Sequence, residues 1–187
     1  MTDHFALLEQ PRRPLLSLSK LEAVFRGKAR TLHPDATGRE TDEFRELNAA
    51  ISVLRDPRKR LAHLLALENA SSNQITPAAA EMDLFAEISQ TTQNTKAFLD
   101  GNRITDSAIS RSVALARQTK LRRALEEAQE KIRTAMEQSE AELAQLDEAW
   151  NHNRASAIGA AAQLQQRFTF LGRWSETLAE LRFRLTH

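Results

Sequence analysis

Cysteine and tyrosine are both absent from this 187-residue chain. Without cysteine there can be no disulfide, no thiolate zinc site, no thiolate-ligated iron–sulfur cluster and no cysteine nucleophile. Aromatic residues are scarce, eight Phe and two Trp. Strands favour aromatic and β-branched side chains, so a sheet-rich fold is disfavoured. Proline is missing from the last 110 residues, because Pro11, Pro14, Pro34, Pro57 and Pro77 are all the chain has. Proline costs about 3 kcal/mol inside a helix, so this long stretch permits long helices. No apolar run approaches the ~18 residues of a membrane span. The opening Met1-Thr2-Asp3-His4 lacks the basic and apolar runs of a signal peptide, and the expectation is a soluble, cytoplasmic protein. Charge of one sign is lacking as well: 26 basic against 25 acidic residues give a net +1, with no global pull towards nucleic acid or membrane. There is no Gly-rich phosphate loop and no nucleophile elbow. The five histidines (His4, His33, His63, His152 and His187) show no ligand spacing with carboxylates. No enzyme activity, metal site or cofactor is therefore expected.

What is present is helical periodicity. The chain is 41% hydrophobic and long enough to bury a substantial core. Ser17 or Ser19 can cap a helix running to about Leu32, with Leu18, Leu21, Phe25 and Leu32 along one face. Pro34 stops it, since proline disfavours helical geometry at the residue before it. A second helix starts near Thr41 or Asp42 and presents Phe44, Leu47, Ile51 and Leu54; Asp56-Pro57 then reads as an N-cap acid with proline at the first helical position. Arg58-Lys59-Arg60 fits the solvated start of that next helix rather than a nucleic-acid patch, with no aromatic stacking platform nearby. The polar run Asn69–Gln74 suits a linker. Thr76-Pro77 opens a helix with Met82, Leu84, Phe85 and Ile88, and Phe98–Asn102 reads as a turn. Leu121, Leu125, Ala128, Ile132, Ala135, Ser139, Leu143, Leu146 and Trp150 then alternate spacings of three and four. Asn151–Asn153 suits a turn before a last helix over about Ser156–Leu185. The pattern predicts an all-α chain whose C-terminal part is an elongated antiparallel hairpin or three-helix bundle, folded on itself as a monomer rather than a homodimer.

Residues 3–67 combine a short helix, an amphipathic helix, His33-Pro34-Asp35, a second amphipathic helix and an Asp-Pro restart. This arrangement resembles the J-domain of co-chaperones that serve DnaK-class ATP-driven chaperones. Leu47-Asn48-Ala49-Ala50-Ile51-Ser52-Val53-Leu54-Arg55-Asp56-Pro57 is similar to that family's second long helix. Arg60–Leu67 and the opening Asp3-His4-Phe5-Ala6-Leu7-Leu8 resemble the HscB branch. So do Glu81–Ile88 and Arg167–Trp174, in shorter patches. About eight or nine residues around Trp150–Ile158 look inserted and would lengthen the hairpin.

The resemblance implies a J-domain over residues 1–69, a linker over 70–77 and a client-binding helical domain over 78–187. It implies that His33, Pro34 and Asp35 stimulate the ATPase of a DnaK/HscA-class chaperone. It further implies an IscU-like iron–sulfur scaffold protein as client, with Leu84, Phe85, Ile88 and Phe170 as candidate client-binding residues. The helix Ser17–Leu32 carries Lys20, Arg26, Lys28 and Arg30 against Glu22. Arg26 and Arg30 lie one turn apart, suited to steering an acidic partner surface. Ala36 stands where the family usually has Lys, and Ser89 and Thr92 stand where it has acidic residues in the scaffold-binding helix. A J-domain adaptor for a different client, with no iron–sulfur role, therefore stays open. So do plainer roles: a helix-stopping turn for His33 and Asp35, and bundle core for the four apolar candidates.

Overall fold

The computed structural model describes residues 1–33, 38, 39, 41–70, 79–101 and 107–186. Among the described residues there are seven helices and no strand: α1 (His4–Leu7), α2 (Leu18–Leu32), α3 (Asp42–Arg55), α4 (Pro57–Leu67), α5 (Ala79–Gly101), α6 (Ala108–His152) and α7 (Arg154–Thr186). The chain is all-α, as its composition and periodicity predict.

Helix starts follow from capping side chains that satisfy backbone N–H groups left without intrahelical partners. The Asp3 carboxylate accepts from the backbone of Phe5 and Ala6, and Ser17 Oγ accepts from Lys20. Thr41 accepts from Phe44, and Asp56 accepts from Arg58 at 2.8 Å and Lys59 at 3.3 Å, with Pro57 at the first turn of α4. Past α4, Asn69 has φ of +53°, a left-handed conformation that asparagine tolerates better than most residues and that turns the chain out of the helix. The expected turn over Phe98–Asn102 is not found where it is described. The helix α5 continues through Gly101, because Phe98 and Leu99 are held against an apolar core. Asn102 and the Thr76-Pro77 start lie outside the described residues.

Two compact units form, one from residues 1–75 with 139–168, the other from residues 76–138 with 169–187. The first unit is built on Phe5, Leu8, Leu21, Leu47, Leu54, Leu61 and Leu64, together with Leu143, Leu146 and Trp150 of α6 and Ala157, Ala161 and Phe168 of α7. The end of the long hairpin, including residues that look inserted, is thus core for the N-terminal helices. Polar groups tie it down. The buried Asp147 carboxylate accepts from the Arg13 guanidinium and, at 3.2 Å, from the backbone N–H of Leu15. Trp150 Nε1 donates to the carbonyl of Arg12 at 3.1 Å. Arg60, expected at the surface, is instead buried and donates at 2.7 Å to the carbonyls of both Pro14 and Leu54. Its long stem lets the guanidinium cap two backbone acceptors that would otherwise be stranded.

Two histidines complete this unit. The backbone N–H of His4 donates to His63 Nε2 at 3.1 Å, and the two rings stack with centroids 4.4 Å apart. Burial pushes both imidazoles below the usual histidine range, and for His63 the neighbouring His4 adds to the effect.

The second unit packs Ile88 and Phe98 of α5, Leu121, Leu125, Ala128 and Ile132 of α6, and Leu171, Leu178, Leu181 and Leu185 of α7. All nine positions of the heptad-like run from Leu121 to Trp150 are buried or half-buried in one unit or the other. No described helix is long and apolar enough to cross a membrane.

Candidate functional site

The first unit positions the helix end that carries His33. Leu21 of α2 is fully buried, and Val24, Phe25, Ala29 and Leu32 pack against the same core. That leaves Arg26 and Arg30 exposed, one turn apart and leading towards the helix end. Leu18, expected inside, is 48% exposed; it is the first residue of the helix and lies ahead of the buried stripe.

His33 follows as the C-cap of α2 with φ −60° and ψ 142°, already extended backbone, as the proline after it demands. Its ring is exposed and meets Phe44, in the first turn of α3, edge-on at 5.5 Å. The imidazole therefore sits between the end of one helix and the start of the next. Pro34, Asp35 and Ala36 lie outside the described residues. Gly38, the next described residue, has φ of +76°, a left-handed conformation that is unstrained for glycine alone.

The charge on α2 is sorted by its surroundings in a way the sequence did not reveal. Lys28 turns towards α1, where its Nζ lies 2.8 Å from the Leu7 carbonyl and 2.9 Å from a Glu9 carboxylate oxygen. Glu22 pairs with Arg55 of α3, whose hydrogen bond and charge, joined by the Arg26 charge, hold the Glu22 carboxyl below its ordinary value. With Glu22 and Lys28 both engaged, the exposed cations Lys20, Arg26 and Arg30 dominate the outer face of α2.

The candidate client-binding residues all fall in the second unit. Phe85 and Phe170 meet with ring centroids 5.4 Å apart, and both are half-buried, as is Leu84. Ile88 is fully buried, so it supports this surface from beneath and cannot itself touch a partner there. Thr92 is also buried, and its hydroxyl has no partner among the described residues. It is thus no surface counterpart of an acidic residue; Ser89, half-buried, lies nearer the surface. Among the described residues no cluster of His, Asp and Glu could hold a metal ion.

No protein-family model matches this sequence, and no curated protein matches it. Solved structures do match. Chaperone HscB from Vibrio cholerae is similar with a TM-score of 0.57 and 20% identity, over 98% of this chain and 99% of that one. The human co-chaperone protein HscB is similar with a TM-score of 0.55 and 13% identity, over 94% of this chain and 84% of that one. The chain has the fold of these HscB proteins along almost its whole length.

Proposed function

We propose that this protein is a J-type co-chaperone of the HscB kind, not an enzyme. In this reading residues 1–69 are the J-domain, 70–77 the linker and 78–187 the client-binding half. His33, Pro34 and Asp35 engage a DnaK/HscA-class chaperone and stimulate its ATP hydrolysis. Arg26 and Arg30 attract an acidic face of that chaperone. The observation that carries the proposal is the placement of His33. It is exposed at the end of α2 and braced by Phe44, with two exposed arginines leading to it, in a chain with an HscB fold from end to end.

Exposed cations raise the rate of encounter with an acidic surface and lose that effect as salt rises. The His33 ring, set at the helix end and braced by Phe44, has less conformational entropy left to lose on binding. The client in this reading is an IscU-like iron–sulfur scaffold protein, held by Leu84, Phe85 and Phe170 over the buried Ile88. The uncharged Ser89 favours a second reading, in which the same surface takes a different client. The seam of α6 is filled by the chain's own helices, which supports a monomer.

The first half is tested by single-turnover ATP hydrolysis of a DnaK-class chaperone. Wild-type protein should accelerate hydrolysis, and the double charge reversal Arg26→Glu/Arg30→Glu should abolish most of that effect at low salt. An undiminished rate with the double variant would remove these arginines from the proposal. Titration calorimetry with an IscU-like scaffold tests the second half. Binding weakened by Phe85→Ala or Phe170→Ala supports the scaffold as client, and no heat of binding turns the choice to another client.

A further inference from the structure

The end of the second unit where α5 finishes, α6 begins and α7 finishes has a composition unlike the rest of the chain. Residues 96–101, 108–123 and 181–186 hold Lys96, Arg111, Arg117, Lys120, Arg122, Arg123, Arg182 and Arg184 against the single carboxylate of Asp100, in a protein of net charge +1. All eight cations are exposed. The first turn of α6 contains no acidic residue, although a helix N-terminus favours acids there and disfavours Arg111. Helix stability does not account for that choice.

The same end is apolar. Ile109, Val113, Leu115 and Phe183 are 78%, 63%, 64% and 63% exposed, half of the large hydrophobic residues that the described structure leaves open. Ile109 and Val113 border one groove and Leu115 a second. The larger, about 330 Å³, runs between α5 and α6, lined by Ala97, Phe98, Gly101, Ile109 and Val113, with Arg117 on its rim 5.6 Å over the Phe98 ring. Ile109, Val113 and Arg117 follow each other at intervals of four and so share one face of α6. The smaller, about 120 Å³, lies between α6 and α7, with Leu115 and Leu185 inside and Arg122 beside them. Gln118 Nε2 donates to the Leu185 carbonyl at 2.6 Å and pins α6 to the end of α7, so the two grooves flank a fixed helix.

We propose that this end is a docking site for an acidic segment of a partner protein. One bulky apolar side chain of the segment fills the Phe98–Ile109–Val113 groove, and its carboxylates pair with Arg117 and Arg122. Charge selects the partner: Arg123 pairs with Glu127 and Arg184 faces Asp100 at 4.0 Å, and the other six cations recruit an anionic ligand. Shape selects its class, since a concave groove accepts a protruding side chain. Nucleic acid fits less well, because Phe98, the aromatic ring in the groove, is 7% exposed and lies under Arg117 rather than open for a base to stack. This site lies apart in sequence from His33 and from Leu84, Phe85 and Phe170, and it does not depend on the co-chaperone reading.

The test is fluorescence anisotropy of the full-length protein with three labelled synthetic peptides. One is rich in Asp and Glu around a central Phe, one has that Phe replaced by Ser, and one has its acids replaced by Lys. Only the acidic peptide with Phe should saturate, and its affinity should fall about tenfold in Arg117→Glu/Arg122→Glu and several-fold in Val113→Ser. These positions are exposed, so the variants should keep wild-type helicity. Arg173→Glu, a single charge reversal on α7 outside the lining of both grooves, should leave binding intact. Equal affinity for the peptide without Phe, or unaltered binding by the double variant, would overturn the proposal. So would protein that co-sediments with phosphatidylserine vesicles while ignoring the peptide.

Discussion

The two units solve the burial of polar groups in opposite ways. In the first, Arg60, His63 and Asp147 are all less than one-tenth exposed, and each bonds a residue distant in sequence. In the second, the buried polar side chains among the described residues are only Thr92 and Thr95. Ion pairs there include Lys131 with Glu87, Arg133 with Glu130 and Glu137, Arg123 with Glu127 and Arg184 with Asp100, all between exposed side chains. Buried polar contacts fix geometry, because a misplaced partner strands a desolvated group. Surface pairs add little and constrain little. The unit that carries His33 is therefore the one whose geometry is locked by polar contacts, and the other keeps its charged chemistry on the outside.

This contrast can be broken in graded steps. The largest effect should come from Trp150→Ala, which empties a core position and removes the bond to the Arg12 carbonyl. A loss of about 4 kcal/mol is expected, read from urea unfolding followed by circular dichroism. A loss below about 1 kcal/mol would mean that the hairpin end is not core to the N-terminal helices. Next is Arg60→Met, which keeps the apolar stem but leaves the Pro14 and Leu54 carbonyls without their donor; about 3 kcal/mol should be lost by the same measurement.

A smaller effect is expected from pH. Both His4 and His63 are held below the ordinary histidine value of about 6.5, so the unfolded chain takes up protons before the folded one does. This contribution to stability is complete above that pH and falls away as the pH drops below it. The urea midpoint should therefore decline between pH 7.5 and 5.5, and His63→Leu should flatten the decline even if it lowers the midpoint overall. A variant as steep as wild type would assign the slope to other groups. Smallest of all, Lys131→Ala on the second unit should change stability by less than about 0.5 kcal/mol. A change comparable to that of Arg60→Met would erase the distinction between the units.

Much of this architecture can be read locally. Ser17, Thr41 and Asp56-Pro57 cap the helices they precede, and the run from Leu121 to Trp150 marks the inner seam of α6. Local signals fail where the deciding partner is far along the chain. Arg60 sits in a basic run that looks solvated, and only the Pro14 and Leu54 carbonyls, brought close by folding, explain its burial. Phe98 and Leu99 extend α5 through what reads as a turn, because core packing outweighs the local propensities of Asp100 and Gly101. Arg13 and Asp147 are separated by 134 positions. One hint did exist: Asp147 lies beside Leu146 on the seam shared with Leu143 and Trp150, where an acid needs a partner to be tolerated. Of the candidate site, His33 is legible from the proline that follows it. The engagement of Glu22 with Arg55 and of Lys28 with Glu9 is visible only once the helices are packed.

The central proposal is that His33, with Pro34 and Asp35, drives a chaperone's ATPase. The most direct measurement compares wild type with His33→Gln in single-turnover ATP hydrolysis by a DnaK-class chaperone. His33 is exposed at a helix end, so the variant should keep wild-type helicity and urea midpoint while its stimulation of hydrolysis disappears. Stimulation by the folded variant equal to that of wild type would contradict the account.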